Sequence, residues 1–141
     1  MKSSTKLFVS VAFAAVLGVA PAFAQMRTTL KADVPFDFVV GGKLLPAGEY
    51  AIAEDPGSPA MIVRNESSEH SVIVLTNHSD KKPGSEDPAL VFHLAGDRYY
   101  LAAVKTGSEA FDRETIKSKA QREAESASRE PIVASIKAVR Q

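Results

Sequence analysis

The chain contains no cysteine among its 141 residues. This absence excludes the small exported folds that disulfides hold together, and it also excludes lipid attachment to an N-terminal cysteine. An excess of charge is missing too, because 17 Lys and Arg residues balance 17 Asp and Glu residues. Without a strong electrostatic field, the chain is not expected to bind nucleic acid or anionic lipid. Its stability must come from packing and hydrogen bonds.

Local motifs for chemistry are also lacking. No serine lies in a Gly-x-Ser-x-Gly turn, and no glycine run resembles a phosphate-binding loop. His70, His78 and His93 do not have the short spacing of zinc sites built on one hairpin or helix. The sequence therefore predicts no catalytic residue, no cofactor and no metal.

No apolar run reaches the roughly 20 residues that a transmembrane helix needs. What the N-terminus does contain is Lys2 and Lys6, followed by an apolar run over residues 7–20 and small residues up to Ala24. This order is typical of a signal peptide over residues 1–24, with cleavage between Ala24 and Gln25. An uncleaved anchor or a core helix are the alternatives. We expect an exported protein, periplasmic or extracellular, with no stable membrane anchor after cleavage.

Residues 25–141 are long enough for one domain with a single core. Over residues 34–40, apolar side chains alternate with others on the opposite face, which predicts a half-buried strand. Gly41 and Gly42 follow and suit a two-residue hairpin turn, because glycine adopts positive φ without steric cost. That turn would place Phe38 opposite Leu45, both on the core face.

Further short β-branched or alternating runs occupy residues 49–54, 61–64 and 71–76. Residues 90–104 predict the clearest hairpin, closed by Gly96 and Asp97, with Leu90 opposite Ala103 and His93 opposite Tyr100. Residues 77–88 are polar and rich in turn formers, which predicts an exposed mobile loop. Such spacing indicates a mainly β fold, either an antiparallel sandwich or a small barrel.

The C-terminal third changes in composition. Glu, Lys, Arg and Ala dominate residues 111–129, and oppositely charged residues recur four apart, which predicts one surface helix. Its apolar stripe is thin, so a partly disordered arm is an alternative. Residues 132–139 alternate as a closing strand would, although the same residues also fit one helical face.

Two segments resemble a family of small exported bacterial proteins of the acidobacterial type. They are VPFDFVVGGKLLPAGEY (34–50) and LVFHLAGDRYYLAAV (90–104), followed by the charged RETIKSKAQREAE segment (113–125). The resemblance covers nearly the whole mature chain. It implies an exported β-rich domain whose activity is not established, and it supplies no catalytic residue.

Three residues are weak candidates for a ligand site. His93 and Tyr100 would face each other on the outer side of the hairpin, with Glu49 or Asp97 nearby, although such a pair is more often a packing pair. The predicted function is a non-enzymatic exported domain that binds a partner protein, an envelope component or a small molecule. A small hydrolase around His93 and a lipocalin-like carrier of an apolar ligand are the alternatives. The partner and the oligomeric state stay open.

Overall fold

The computed structural model describes residues 27–54, 57–79, 87–107, 112–128 and 132–140. The predicted signal peptide over residues 1–24, with its cleavage site between Ala24 and Gln25, lies outside the described residues. So do residues 80–86, which form most of the predicted mobile loop. The described chain is mainly β, with one short helix, as the sequence predicts.

Eleven strands and one helix follow each other along the described part of the chain. They are β1 (Arg27–Val34), β2 (Phe38–Val40), β3 (Lys43–Leu45), β4 (Gly48–Glu54), β5 (Ala60–Asn65), β6 (Ser71–His78), β7 (Ala89–Ala95), β8 (Arg98–Lys105), β9 (Arg113–Thr115), α1 (Lys119–Ala127), β10 (Ile132–Lys137) and β11 (Val139–Arg140). The predicted strands over residues 49–54, 61–64 and 71–76 are confirmed as β4, β5 and β6.

The strands form a single mixed sheet. The hydrogen-bonded order is β10-β7-β8-β9-β6-β5-β4-β1-β11, while β2 pairs with β3 and with β8. The β2–β8 pair is parallel, so the expectation of a purely antiparallel fold is wrong at this one place. The sequence leaves a sandwich and a barrel open. The described sheet is not closed into a barrel, because its two end strands do not pair with each other.

The two end strands are nevertheless consecutive in the chain. β10 pairs with β7 at one edge, β11 pairs with β1 at the other, and Ala138 alone separates them. The predicted closing strand is therefore confirmed and the alternative of a helical face is wrong. This segment lies along both edges of the sheet, and we refer to residues 132–140 as the edge segment.

The β2–β3 hairpin has the predicted register, with Phe38 opposite Leu45. Gly41 and Gly42 have φ angles of 57° and 77°, in the left-handed region that residues other than glycine rarely adopt. A Cβ atom on Gly41 would also lie 3.0 Å from Cγ1 of Val72, which is too close for a relaxed contact. Glycine at position 41 therefore meets both a conformational and a steric requirement.

The strand predicted over residues 34–40 is interrupted. A three-residue break separates the end of β1 from the start of β2. Within this break, Asp37 Oδ1 accepts a 2.9 Å hydrogen bond from the Ala47 amide. The ring of Phe36 stacks on Tyr99 at a centroid distance of 3.9 Å. Residues with more buried side chains still alternate with exposed ones across the break. The break therefore bends the backbone but keeps the apolar side chains on the core side.

The β7–β8 hairpin contains a bulge that the sequence does not predict. Phe92 faces Leu101 as expected, but the register shifts just before Phe92. Leu90 consequently faces Val104 instead of Ala103. The shift places the larger apolar side chain in the core, where Val104 is 1% exposed, and burial of an aliphatic side chain stabilises a fold by about 1.5–3 kcal/mol.

Inward-facing residues from both ends of the sheet form one core. The largest fully buried apolar side chains are Tyr50, Phe38, Phe92, Leu30, Ile52, Met61, Leu90, Leu101, Val34, Val63 and Val104. In β1, β5 and β6 the buried residues alternate with more exposed ones, as a sheet with one buried face requires, whereas Ala51 in β4 and Tyr100 in β8 are buried beside core residues.

Helix α1 is shorter than the predicted helix over residues 111–129. Residues Arg113–Thr115 form β9, which pairs with both β6 and β8. Pairing on two sides outweighs the local helical charge pattern, which contributes only a few tenths of a kcal/mol per pair. The helix begins after Ser118, whose hydroxyl accepts a hydrogen bond from the Gln121 amide. Within the described ranges, no helix is long and apolar enough to cross a membrane.

Candidate functional site

The structure separates the three predicted ligand-site residues into two places. His93 and Tyr100 face each other across the β7–β8 pair, as predicted. Glu49 lies on β4 beside β1, where it lines a groove. Asp97, the other carboxylate considered near His93, projects from the hairpin turn with 95% of its side chain exposed.

The carboxylate that contacts His93 is that of Glu125, on α1. His93 Nδ1 lies 3.4 Å from Glu125 Oε1, which also accepts a 3.0 Å hydrogen bond from Gln121 Nε2. The other carboxylate oxygen accepts a 2.5 Å hydrogen bond from Lys117 Nζ. Glu125 is therefore the centre of a polar cluster that joins the helix to the sheet.

The Glu125 carboxylate is held in its charged form. Burial alone would raise the pKa of Glu125, but the hydrogen bonds from Lys117, Gln121 and His93 outweigh it and keep that pKa below its ordinary value. A carboxylate that stays ionised orients a histidine but does not donate a proton. Within the described ranges, no serine or threonine hydroxyl is hydrogen-bonded to His93. The contacts suit attachment of the helix better than nucleophilic catalysis.

A groove of about 360 Å³ lies on the outer side of the sheet, where β1, β4 and the edge segment meet. Charged side chains of both signs and a few apolar groups line it: Lys31, Ala32, Asp33, Glu49, Tyr50, Glu66, Lys137 and Val139. The outward positions of β1 and β4 supply the charged residues, because their inward neighbours belong to the core.

The charges in the groove are only partly paired. Lys31 Nζ donates a 3.0 Å hydrogen bond to Glu66, and this bond is the main reason why the pKa of Glu66 is below its ordinary value. Asp33 lies directly opposite Glu49 in the β1–β4 register. Two carboxylates in such positions repel each other, and neither has a salt-bridge partner in the described chain.

A second polar cluster lies where β4 and β6 end and β9 begins. Glu54 Oε1 is buried, and it is 3.9 Å from Arg113 Nε. It is the one buried side-chain oxygen or nitrogen of the described chain without a hydrogen-bond partner. Arg113 also lies 3.2 Å from His78 Nε2. Burial raises the pKa of Glu54, and the charges of Arg113 and His78 oppose that shift.

The three histidines lie apart, with different partners. His70 contacts Ser68, while His78 and His93 belong to the two clusters described above. Across the described ranges, no group of three or more histidine or carboxylate side chains is arranged to hold a metal ion.

Comparison with known proteins gives no relative. No family model, curated protein or solved structure matches this chain. Inference about function therefore depends on the chain's own residues and contacts.

Sequence reasoning missed most of the groove and the contact of His93. Asp33 and Lys31 were missed because the first strand begins at residue 27, well before the predicted start at 34. The alternation of Leu30, Ala32 and Val34 was the available signal. No local signal pointed to Glu125, which is 32 residues from His93.

Proposed function

We propose that this chain is an exported, non-enzymatic β-domain that binds a small amine-bearing molecule in the groove between β1, β4 and the edge segment. The observation that carries the proposal is the unpaired Asp33–Glu49 carboxylate pair inside a concave surface. Concave sites with a few convergent polar groups are the usual form of small-molecule sites.

The charge arrangement favours a cationic group. Two carboxylates directly opposite each other on neighbouring strands destabilise that strand pair. An ammonium group placed between Asp33 and Glu49 would offset that repulsion and donate a charge-assisted hydrogen bond to each carboxylate. Of the two lysines that line the groove, Lys31 is bound by Glu66, while Lys137 has no salt-bridge partner among the described residues, so an added ammonium group must compete with Lys137 for the two carboxylates.

Other functions have less support. A lipocalin-like carrier needs a hollow interior, whereas the inward side chains of the described strands pack into one continuous cluster. A hydrolase around His93 needs a nucleophile, and the contact of His93 with Glu125 joins it to α1 instead. Export is supported by the residue pattern of positions 1–24 and by the resemblance to small exported bacterial proteins.

Nuclear magnetic resonance titration tests the binding site. The probe is 1,4-diaminobutane, and the matched control is the uncharged 1,4-butanediol. We expect the diamine to shift the amide signals of β1 and β4 in a saturable way, and the diol to leave them unchanged. The double variant Asp33→Asn with Glu49→Gln should weaken binding at least about tenfold, equivalent to ~1.4 kcal/mol.

A carboxylate outside the groove provides the protein control. Asp97→Asn removes a highly exposed charge from the β7–β8 turn and should bind the diamine as the wild-type chain does. Equal shifts with the diol, shifts confined to other strands, or undiminished binding by the double variant would each contradict the proposal.

A further inference from the structure

Helix α1 is attached to the sheet in an unusual way. It has nine residues, and a helix of this length is not stable alone in water. Helices on protein surfaces normally dock through an apolar stripe, yet Gln121 is the buried residue of α1. Ala120 and Ala127, which belong to the predicted apolar stripe, are exposed. Polar contacts must therefore provide much of the attachment.

Those contacts lie towards the C-terminal half of the helix. Glu125 accepts hydrogen bonds from Lys117 and Gln121 and contacts His93 on β7. One turn further on, Ser128 Oγ accepts a 3.2 Å hydrogen bond from the amide of Gly96 in the β7–β8 turn. Two of these contacts reach the sheet, that of Glu125 with His93 and that of Ser128 with Gly96, whereas Lys117 and Gln121 hold the Glu125 carboxylate in place from the helix side.

The surface under the helix is a row of outward-facing residues. In register, Val39 pairs with Tyr100, Tyr100 with His93, and His93 with Val133. Tyr100 is 6% exposed although it faces away from the core, whereas Val133 at one end of the row is 60% exposed. An outward-facing tyrosine is buried only if another element covers it. The element packed on β7 at this place is α1.

We propose that α1 is a detachable helix, held by the Glu125 contacts, that leaves the sheet as a unit while the core stays folded. Local opening of this kind occurs where an element buries little apolar surface. Detachment uncovers Tyr100 and His93, which lie between Val39 and Val133 in this row of the sheet. This inference does not depend on the groove or on its ligand.

The experiment compares Glu125→Ala with Glu123→Ala. Both substitutions place alanine, the best helix former, in α1. Among the described residues, however, Glu123 forms an ion pair with the exposed Lys119 and with no residue of the sheet. Nitration by tetranitromethane followed by mass spectrometry reports the accessibility of each tyrosine. We expect Glu125→Ala to increase nitration of Tyr100 at least about fivefold and to accelerate hydrogen exchange of the α1 amides.

Tyr50 distinguishes local opening from general loosening, because it is fully buried in the core. Its nitration should stay unchanged in both variants, and Glu123→Ala should behave as the wild-type chain. A parallel rise of Tyr50 nitration, an equal effect of Glu123→Ala, or unchanged Tyr100 nitration and helix exchange in Glu125→Ala would each overturn the proposal.

Discussion

Removing one hydroxyl group, that of Tyr50, should destabilise the whole fold. Tyr50 is fully buried at the start of β4, and its hydroxyl donates a 2.5 Å hydrogen bond to the Pro46 carbonyl. The Asn65 side chain also hydrogen-bonds the phenol, and Asn65 is 4% exposed. Tyr50→Phe keeps the ring and its edge contact with Phe38 but leaves both partners without the phenol oxygen.

The expected loss of stability follows from the two groups that lose the phenol oxygen, the Pro46 carbonyl and the Asn65 side chain. A buried polar group left without its hydrogen bond costs about 1–3 kcal/mol. For a domain of this size, each kcal/mol corresponds to about 4 °C in the melting temperature. We therefore expect Tyr50→Phe to lower the melting temperature by about 4–12 °C, with the upper part of the range reached if Asn65 finds no other partner.

Thermal unfolding followed by circular dichroism measures this effect. The matched control is Tyr99→Phe, because Tyr99 is only partly buried and stacks on Phe36 through its ring. That variant should change the free energy of unfolding by less than about 0.5 kcal/mol. If the two variants melt at the same temperature, the hydrogen bonds of Tyr50 do not stabilise the connection between β3 and β4, and the reasoning fails.

Two further predictions concern a buried carboxyl and the N-terminus. Because burial raises the pKa of Glu54, the folded chain resists ionisation of this group more than the unfolded chain does. The free energy of unfolding of the wild-type chain therefore falls as the pH rises from the pKa of Glu54 in the unfolded chain to its higher pKa in the folded chain. The free energy of unfolding of Glu54→Gln, measured with denaturant, should increase relative to that of the wild type as the pH rises above the ordinary pKa of a glutamate. A difference that stays constant with pH would refute this. For export, N-terminal sequencing of chain recovered from the periplasm or medium should begin at Gln25, whereas chain that retains Met1 in the cytoplasm would contradict cleavage.

Much of the fold follows from local patterns. The Gly41-Gly42 turn fixes the register of β2 and β3, because a two-residue loop with positive φ at both positions allows one pairing. Alternation correctly places Tyr50 and Ile52 on the core face of β4. These features need no information from distant residues, so a single sequence is sufficient to predict them.

The wrong predictions lie where residues that are distant in sequence determine the local structure. β9 lies in a segment with helical charge spacing, yet its partners on β6 and β8 make it a strand. The bulge before Phe92 depends on which side chain the core accommodates. The groove depends on the pairing of β1 with β4, which sets Asp33 opposite Glu49. No short-range pattern in the sequence contains these pairings.

The position of the edge segment affects how the chain can fold. Leu30 pairs with Arg140, and Ile136 pairs with Leu90. The last strands of the chain therefore pair with strands that are synthesised much earlier. Pairs this far apart in sequence form slowly, because the intervening chain must first lose its freedom. A polypeptide that emerges N-terminus first cannot complete either edge until the edge segment has been made. We therefore expect both edges of the sheet to pair last, after the strands between them.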